Sequence, residues 1–204
     1  MKFNISKCKI VSFGTHVESY KDLGVTFDEK LTFRDHLHDK VHKAYAMLGI
    51  IKRNFKYISI NNFILFYKSM VRSLLDYCVP VSVPYKKGDI EVLEKVQNKA
   101  TKIIPEIRHL PYRDRLKVCK FPTLHYRQVR GDMIEMYKIL TGKYADVTPK
   151  VTRVYGLTTR GNLLKLDKGR AKCDLRKYYF TNRVVNAWNS LPDDVVLKLN
   201  TVKS

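Results

Sequence analysis

Residues 31–55 read LTFRDHLHDKVHKAYAMLGIIKRNF. Apolar Leu37, Val41, Ala44, Leu48, Ile51 and Phe55 recur there at steps of three and four, the spacing that lines one face of an α-helix. Thr32 followed by Asp35 resembles a capping box, so the helix is expected to start there and run for about 20 residues, roughly 30 Å.

Working outward, a second helix is expected from Ser59 or Asn61. Its face of Phe63, Ile64, Phe66, Tyr67, Met70, Val71, Leu74 and Leu75 is broad enough to suggest burial on two sides, and Pro80 and Pro84 should stop it. Asp89 is expected to cap a third, with Ile90, Leu93, Val96, Ala100 and Ile103 inward, Glu91, Glu94, Lys95 and Lys99 outward, and Pro105 at its end. After a basic turn around Pro111, Thr123 should cap a fourth helix that Gly142 closes. Periodicity lapses over 148–177, where 152–166 suits a strand or an extended arm. It returns from Tyr178 to Asn189 with Phe180, Val184, Ala187, Trp188 and Leu191 on one face. Upstream, Lys9–Phe13 and Leu23–Phe27 read as two short strands, too few to stand without a packing partner.

Hydrophobic residues make up 45% of the 204 and aromatic ones 11%, enough to fill a core and to exclude disorder of the whole chain. The net charge is +20, far beyond what solubility needs, and implies a polyanionic partner. From Lys150 to Arg183 ten basic residues face only Asp167 and Asp174. Cys8, Cys78, Cys119 and Cys173 have no close pair, which supports neither a zinc site nor a disulfide framework. No apolar run reaches about 18 residues and no charged-then-apolar leader is present, so a cytoplasmic or nuclear protein without membrane contact is expected.

The order of several motifs resembles jockey-like non-LTR retrotransposon polymerases. These are Tyr20–Phe27 followed by Leu31–His36, then Leu65–Cys78, Asp89–Gln97, Leu110–Leu116, Arg130–Leu140 and Arg183–Pro192, which together span nearly the whole chain. Each is weak alone; the specificity lies in the ordered series. The resemblance implies a mainly α fold: a helical thumb and connection with a small N-terminal β remnant of a reverse transcriptase palm. Residues 1–30 would be the end of the palm, 31–146 the thumb-like region and 147–204 a basic C-terminal segment with a terminal helix.

Within that family Asn4–Lys9 is similar to the palm motif whose lysine lies near the incoming nucleotide's phosphates, with Lys7 the best match. Such a lysine would neutralise the leaving pyrophosphate; the plainer alternative is an exposed strand lysine. Tyr20, Leu23 and Gly24 look like the primer-grip turn, or an ordinary hairpin. The catalytic aspartates would lie before Met1, and the parent polymerase would use magnesium, so this chain is expected to carry no cofactor and no catalysis.

Polymerase chemistry needs clustered carboxylates holding two metal ions about 4 Å apart. Tyr144-Ala145-Asp146-Val147 offers one and reads as a loop, while Asp193-Asp194 after Pro192 reads as a helix start. His38 and His42 lie one turn apart without a third ligand and read as an exposed face. Binding chemistry is richer. Arg108, His109, Tyr112, Arg113 and Arg115 mix cations with aromatics, the combination that tracks phosphates and stacks on bases. Arg127 and Arg130 follow, then Arg160, Lys165, Lys168, Arg170, Lys172, Arg176, Lys177 and Arg183 beside Tyr178 and Tyr179. For each residue a merely solvated charge is the alternative; Trp188 reads as a core anchor rather than a stacking platform. The expected partners are RNA and DNA, as a template-primer duplex. A stand-alone RNA- or DNA-binding module and a non-functional pseudogene product are the alternatives.

Overall fold

The computed structural model describes residues 19–144, 151 and 164–198. The expected strand Lys9–Phe13 and the extended arm up to residue 163 lie outside them. β1 (Tyr20–Asp22) and β2 (Val25–Phe27) form an antiparallel hairpin, with Tyr20 opposite Phe27. Leu23 and Gly24 between them have φ of 43° and 81°, the left-handed pair that a two-residue hairpin turn with the native strand twist requires. The remainder is helical, so the chain is mainly α with a small two-stranded sheet near its N-terminus.

α1 (Arg34–Asn54) matches the periodicity, but its entry differs from the expected capping box. Phe33 occupies the cap position at φ 55° without a side-chain bond, and Asp28 organises the turn instead. The Asp28 carboxylate accepts from the Thr32 hydroxyl (2.7 Å), the Thr32 amide (3.0 Å) and the Phe33 amide (2.7 Å). Burial pushes its pKa up, yet these donors more than offset it and hold the carboxyl below its usual range.

Ser59 caps α2 (Ile60–Phe66) by accepting from the Asn62 amide at 3.4 Å. The helix continues through a π-helical segment, Tyr67–Arg72, into α3 (Ser73–Asp76). The expectation of burial on two sides is corrected: Phe63, Tyr67, Val71 and Leu75 are buried, while Met70 is 36% exposed and Ile64, Phe66 and Leu74 are only partly buried. Residues four apart drift about 40° per step around an α-helix. The widened π turns take up that drift and keep the single stripe facing inward. The run ends at Tyr77, before either proline, and Pro80 instead starts α4 (Val79–Ser82), in whose first turn its missing N–H costs nothing.

α5 (Lys87–Thr101) begins two residues before Asp89, which pairs with Arg34 (3.7 Å) rather than capping. Pro111 precedes a helix, α6 (Tyr112–Cys119), where only a basic turn was expected. Thr123 caps α7 (Leu124–Leu140) through the Tyr126 amide at 3.2 Å, and Gly142 at φ 67° follows its end. The terminal helix is interrupted: Tyr179 is extended between α8 (Asp174–Tyr178) and α9 (Phe180–Asn189). α10 (Asp193–Lys198) starts at the paired aspartates.

Two apolar clusters result. The larger gathers α1, α2, the π segment, α3, α5 and α6 around Phe63, Tyr67, Val96 and Ile104. The smaller holds Met136, Tyr137, Leu166, Phe180, Val184, Val185, Trp188 and Val196. α7 supplies Leu124 to the first and Met136 to the second, so this helix bridges the two clusters.

Candidate nucleic-acid interface

Six ion pairs occur among the described residues, and none includes Arg108, Arg113, Arg130, Arg170, Lys172 or Arg176, all of them exposed. Arg108 lies in the turn after α5 and Arg113 on the first turn of α6. Arg130 projects from α7, while Arg170 and Lys172 precede α8. Arg176 and Lys177 occupy the last turn of α8, with the Lys177 ammonium 5.0 Å from the Tyr178 ring centre. Lys168 donates to the Asn186 side chain at 3.2 Å. Lys165 is half-buried, and Lys7 and Arg160 lie outside the described residues.

Other expected contacts face inward. Arg115 is 3% exposed, and its guanidinium donates to Thr101 Oγ1 (3.0 Å), the Leu110 carbonyl (2.7 Å) and Asn98 Oδ1. This arginine fastens the α5–α6 turn, and its burial keeps it from a phosphate at the surface. Arg183 is likewise committed, bidentate to Asp132 (both 2.9 Å) and bound to the Pro80 carbonyl (2.8 Å). Arg127 pairs with Asp76 at 2.7 Å. The Tyr112 hydroxyl donates to Glu94 and accepts from Gln97 Nε2 (3.2 Å), so its ring is tied to α5. Glu94, expected on the exposed stripe, also accepts from the Leu124 amide at 3.0 Å and so serves the start of α7.

At the hairpin, Tyr20 stacks on Phe27 at 4.9 Å, and Leu23 is 83% exposed. The Leu23 carbonyl accepts from the Tyr77 hydroxyl. A side chain at Gly24 would be strained at its φ and would meet the Tyr77 ring at 3.5 Å. The hairpin tip is thus held against the end of α3.

Beneath that tip lies a group the motifs did not mark. His36, Lys40 and Lys43 are spaced four and three apart on α1 and join Lys21, Asp39 and Ser73 around a cleft of about 270 Å³. Spacing was the available signal, but burial comes from distant segments: the hairpin reaches His36 through the Thr26 amide, and Lys40 is enclosed by Tyr77 and Ser82. The Lys40 ammonium donates to the Tyr77 carbonyl and to Ser82 Oγ (3.2 Å), and burial lowers its pKa to about 8. Burial, followed by the charge of Lys40, lowers His36 to about 4; Asp39 opposes them, and the smaller effects of Lys43 and Lys21 lower it further.

A depressed pKa on a base means that the unfolded chain binds the proton more tightly. For His36 the stabilising difference is complete above pH 6.5 and is lost as pH falls toward about 4. Urea-unfolding free energy should therefore decline across that interval, and His36→Gln should flatten this part of the profile. An unchanged slope in the variant would assign the decline to other groups.

Among the described residues no group of three or more His, Cys, Asp or Glu side chains could hold a metal ion, and His38 and His42 are both exposed. No described helix is long and apolar enough to cross a membrane. Compared with known proteins, the chain matches no family model, no curated protein and no solved structure at a significant level.

Proposed function

We propose that this chain is a nucleic-acid-binding element that grips an RNA–DNA template-primer duplex by backbone charge and shape. In this view it corresponds to the end of the palm, the thumb and the connection of a non-LTR retrotransposon reverse transcriptase, works inside the cell, and has no polymerase activity by itself. The observation that carries the reading is the set of exposed cations outside any ion pair, Arg108 and Arg113 foremost, on a chain of net charge +20. Helical packing holds these groups on short, ordered elements while Arg115 anchors the turn between them from within. Phosphate tracking needs such fixed cations, and base-specific contacts are not required for it.

Fluorescence anisotropy with an RNA–DNA duplex tests this. Log affinity should fall linearly with log salt, each phosphate contact contributing a slope of about −0.9. Arg113→Ala and Arg108→Ala should each reduce the slope by about 1 and weaken binding of all sequences alike. A flat salt profile, or a slope unchanged in both variants, refutes the reading. Primer extension with template, nucleotides and magnesium should yield no product; product would overturn the non-catalytic part alone.

A further inference from the structure

The turn after β2, α4 and the loop behind it, the end of α7 and the α8–α9 junction together line a cavity of about 600 Å³. That volume is within the roughly 300–1,000 Å³ of ordinary ligand pockets. The wall is aliphatic and aromatic, with Phe27, Phe33, Val83, Tyr85, Ile139 and Phe180 among its members. Its two charged groups are already matched, Glu135 by Lys138 (2.8 Å) and Arg183 by Asp132 (2.9 Å). The interior therefore suits an apolar group rather than an ion.

Apolar surface also continues out of the cavity. Val81, Leu175 and Tyr179 belong to its wall yet are 46%, 50% and 57% exposed. A small molecule held inside would leave these three in water. A polypeptide that inserts one side chain and lays its backbone across the mouth covers both regions.

Charge at the rim is mostly positive. The exposed charged residues that adjoin the wall in the chain are Lys30, Arg34, Lys86, Arg176 and Lys177, against Asp174 alone. Of the five cations only Arg34 is in an ion pair among the described residues, with Asp89. Two others are placed by the wall itself. Tyr85 and Tyr178 stack at 4.2 Å, with the Lys86 ammonium 5.9 Å from the first ring centre and the Lys177 ammonium 5.0 Å from the second. A nucleobase fits less well, since stacking on these two rings would have to open the pair or displace the ammoniums.

We infer that this cavity is the docking site of a partner protein, which presents an acidic segment carrying a large apolar side chain. The side chain fills the cavity, and the carboxylates around it meet Lys86, Arg176 and Lys177. Arg108 and Arg113, which carry the proposed duplex grip, are not part of the cavity wall.

Selection of random peptides displayed on phage against the full chain tests the site, with the selected peptides then synthesised and measured by fluorescence anisotropy. The expected sequences carry Phe, Trp or Leu among Asp and Glu. Leu175→Asp and Lys177→Glu change exposed side chains and should leave the helical circular-dichroism signal unaltered, while each weakens these peptides about tenfold. Arg108→Ala should leave their affinity unchanged, which separates this site from the duplex grip. A selection that enriches no sequence, peptides without acidic residues, or an affinity unchanged in either Leu175→Asp or Lys177→Glu overturns the inference. Two measurements on the chain alone cover the other occupants. Binding to phosphatidylserine vesicles that Leu175→Asp abolishes would give the cavity to a lipid surface. A dimer in analytical ultracentrifugation that the same variant dissociates would give it to a second copy of this chain. Either result overturns the acidic partner.

Discussion

Trp188→Ala should destabilise the chain by about 3–5 kcal/mol, the usual cost of emptying a tryptophan-sized core site. Trp188 is fully buried and is the largest side chain in the smaller cluster, packed with Met136, Val184 and Val185 among others. Its indole Nε1 donates to the Leu164 carbonyl at 2.8 Å, tying the segment before α8 onto α9. Truncation removes both the packing and this bond. Trp188→Phe separates the two effects: it retains most of the apolar volume and should cost about 1–3 kcal/mol through the lost hydrogen bond and residual void. Because Trp188 is the single tryptophan, the unfolding midpoint in urea has to be followed by far-UV circular dichroism rather than by intrinsic fluorescence. A loss below about 1 kcal/mol in the alanine variant would mean that the smaller cluster does not depend on this side chain.

Asp132→Ala should cost a comparable amount, about 3–5 kcal/mol, for an electrostatic reason. The Asp132 and Arg183 side chains are 7% and 13% exposed and meet through two 2.9 Å bonds. Removing the carboxylate leaves a guanidinium in a place where water reaches it poorly. Its remaining acceptors are the carbonyls of Pro80 (2.8 Å) and Tyr178 (3.4 Å), and carbonyls do not neutralise its charge. The double variant Asp132→Leu with Arg183→Met should recover most of the loss, because an apolar pair of similar volume avoids the desolvation cost of both ions. Equal stability of the single and double variants would show that Arg183 finds solvent when its partner is gone. The pair also ties α9 to α7 and to the start of α4, beside the Tyr85–Tyr178 ring stack at 4.2 Å.

The helices were legible wherever a local signal sufficed. α1, α5 and α7 follow their apolar periodicity, and Ser59 and Thr123 cap where their hydroxyls suggest, because a cap involves residues only three apart. Asp28 was missed because its turn depends on left-handed φ at Leu31 and Phe33, which neither residue type advertises. α6 was hidden by its charge: Arg113, Asp114, Arg115 and Lys117 mask the buried Leu116 and Cys119.

Candidate site residues were legible as a class and not as individuals. Arg108, Arg113 and Arg115 look alike in a basic run, yet the first two face solvent and the third is enclosed by Thr101, Asn98 and Leu110. A guanidinium has five donors and an apolar stem, so it can serve either place, and the choice falls to acceptors far along the chain. The same holds for Arg183, whose partners Pro80 and Asp132 lie 103 and 51 residues away.

By itself, then, the sequence determined a helical chain with an excess of positive charge, since periodicity, caps and net charge are properties of neighbours and of sums. Tertiary structure alone decided which cations remain available and which become fasteners. It also brought the hairpin onto His36, and Tyr77 and Ser82 onto Lys40, forming a charged cleft. Burial and pairing arise only when distant segments meet, and both change the energy of a charge far more than its local sequence does.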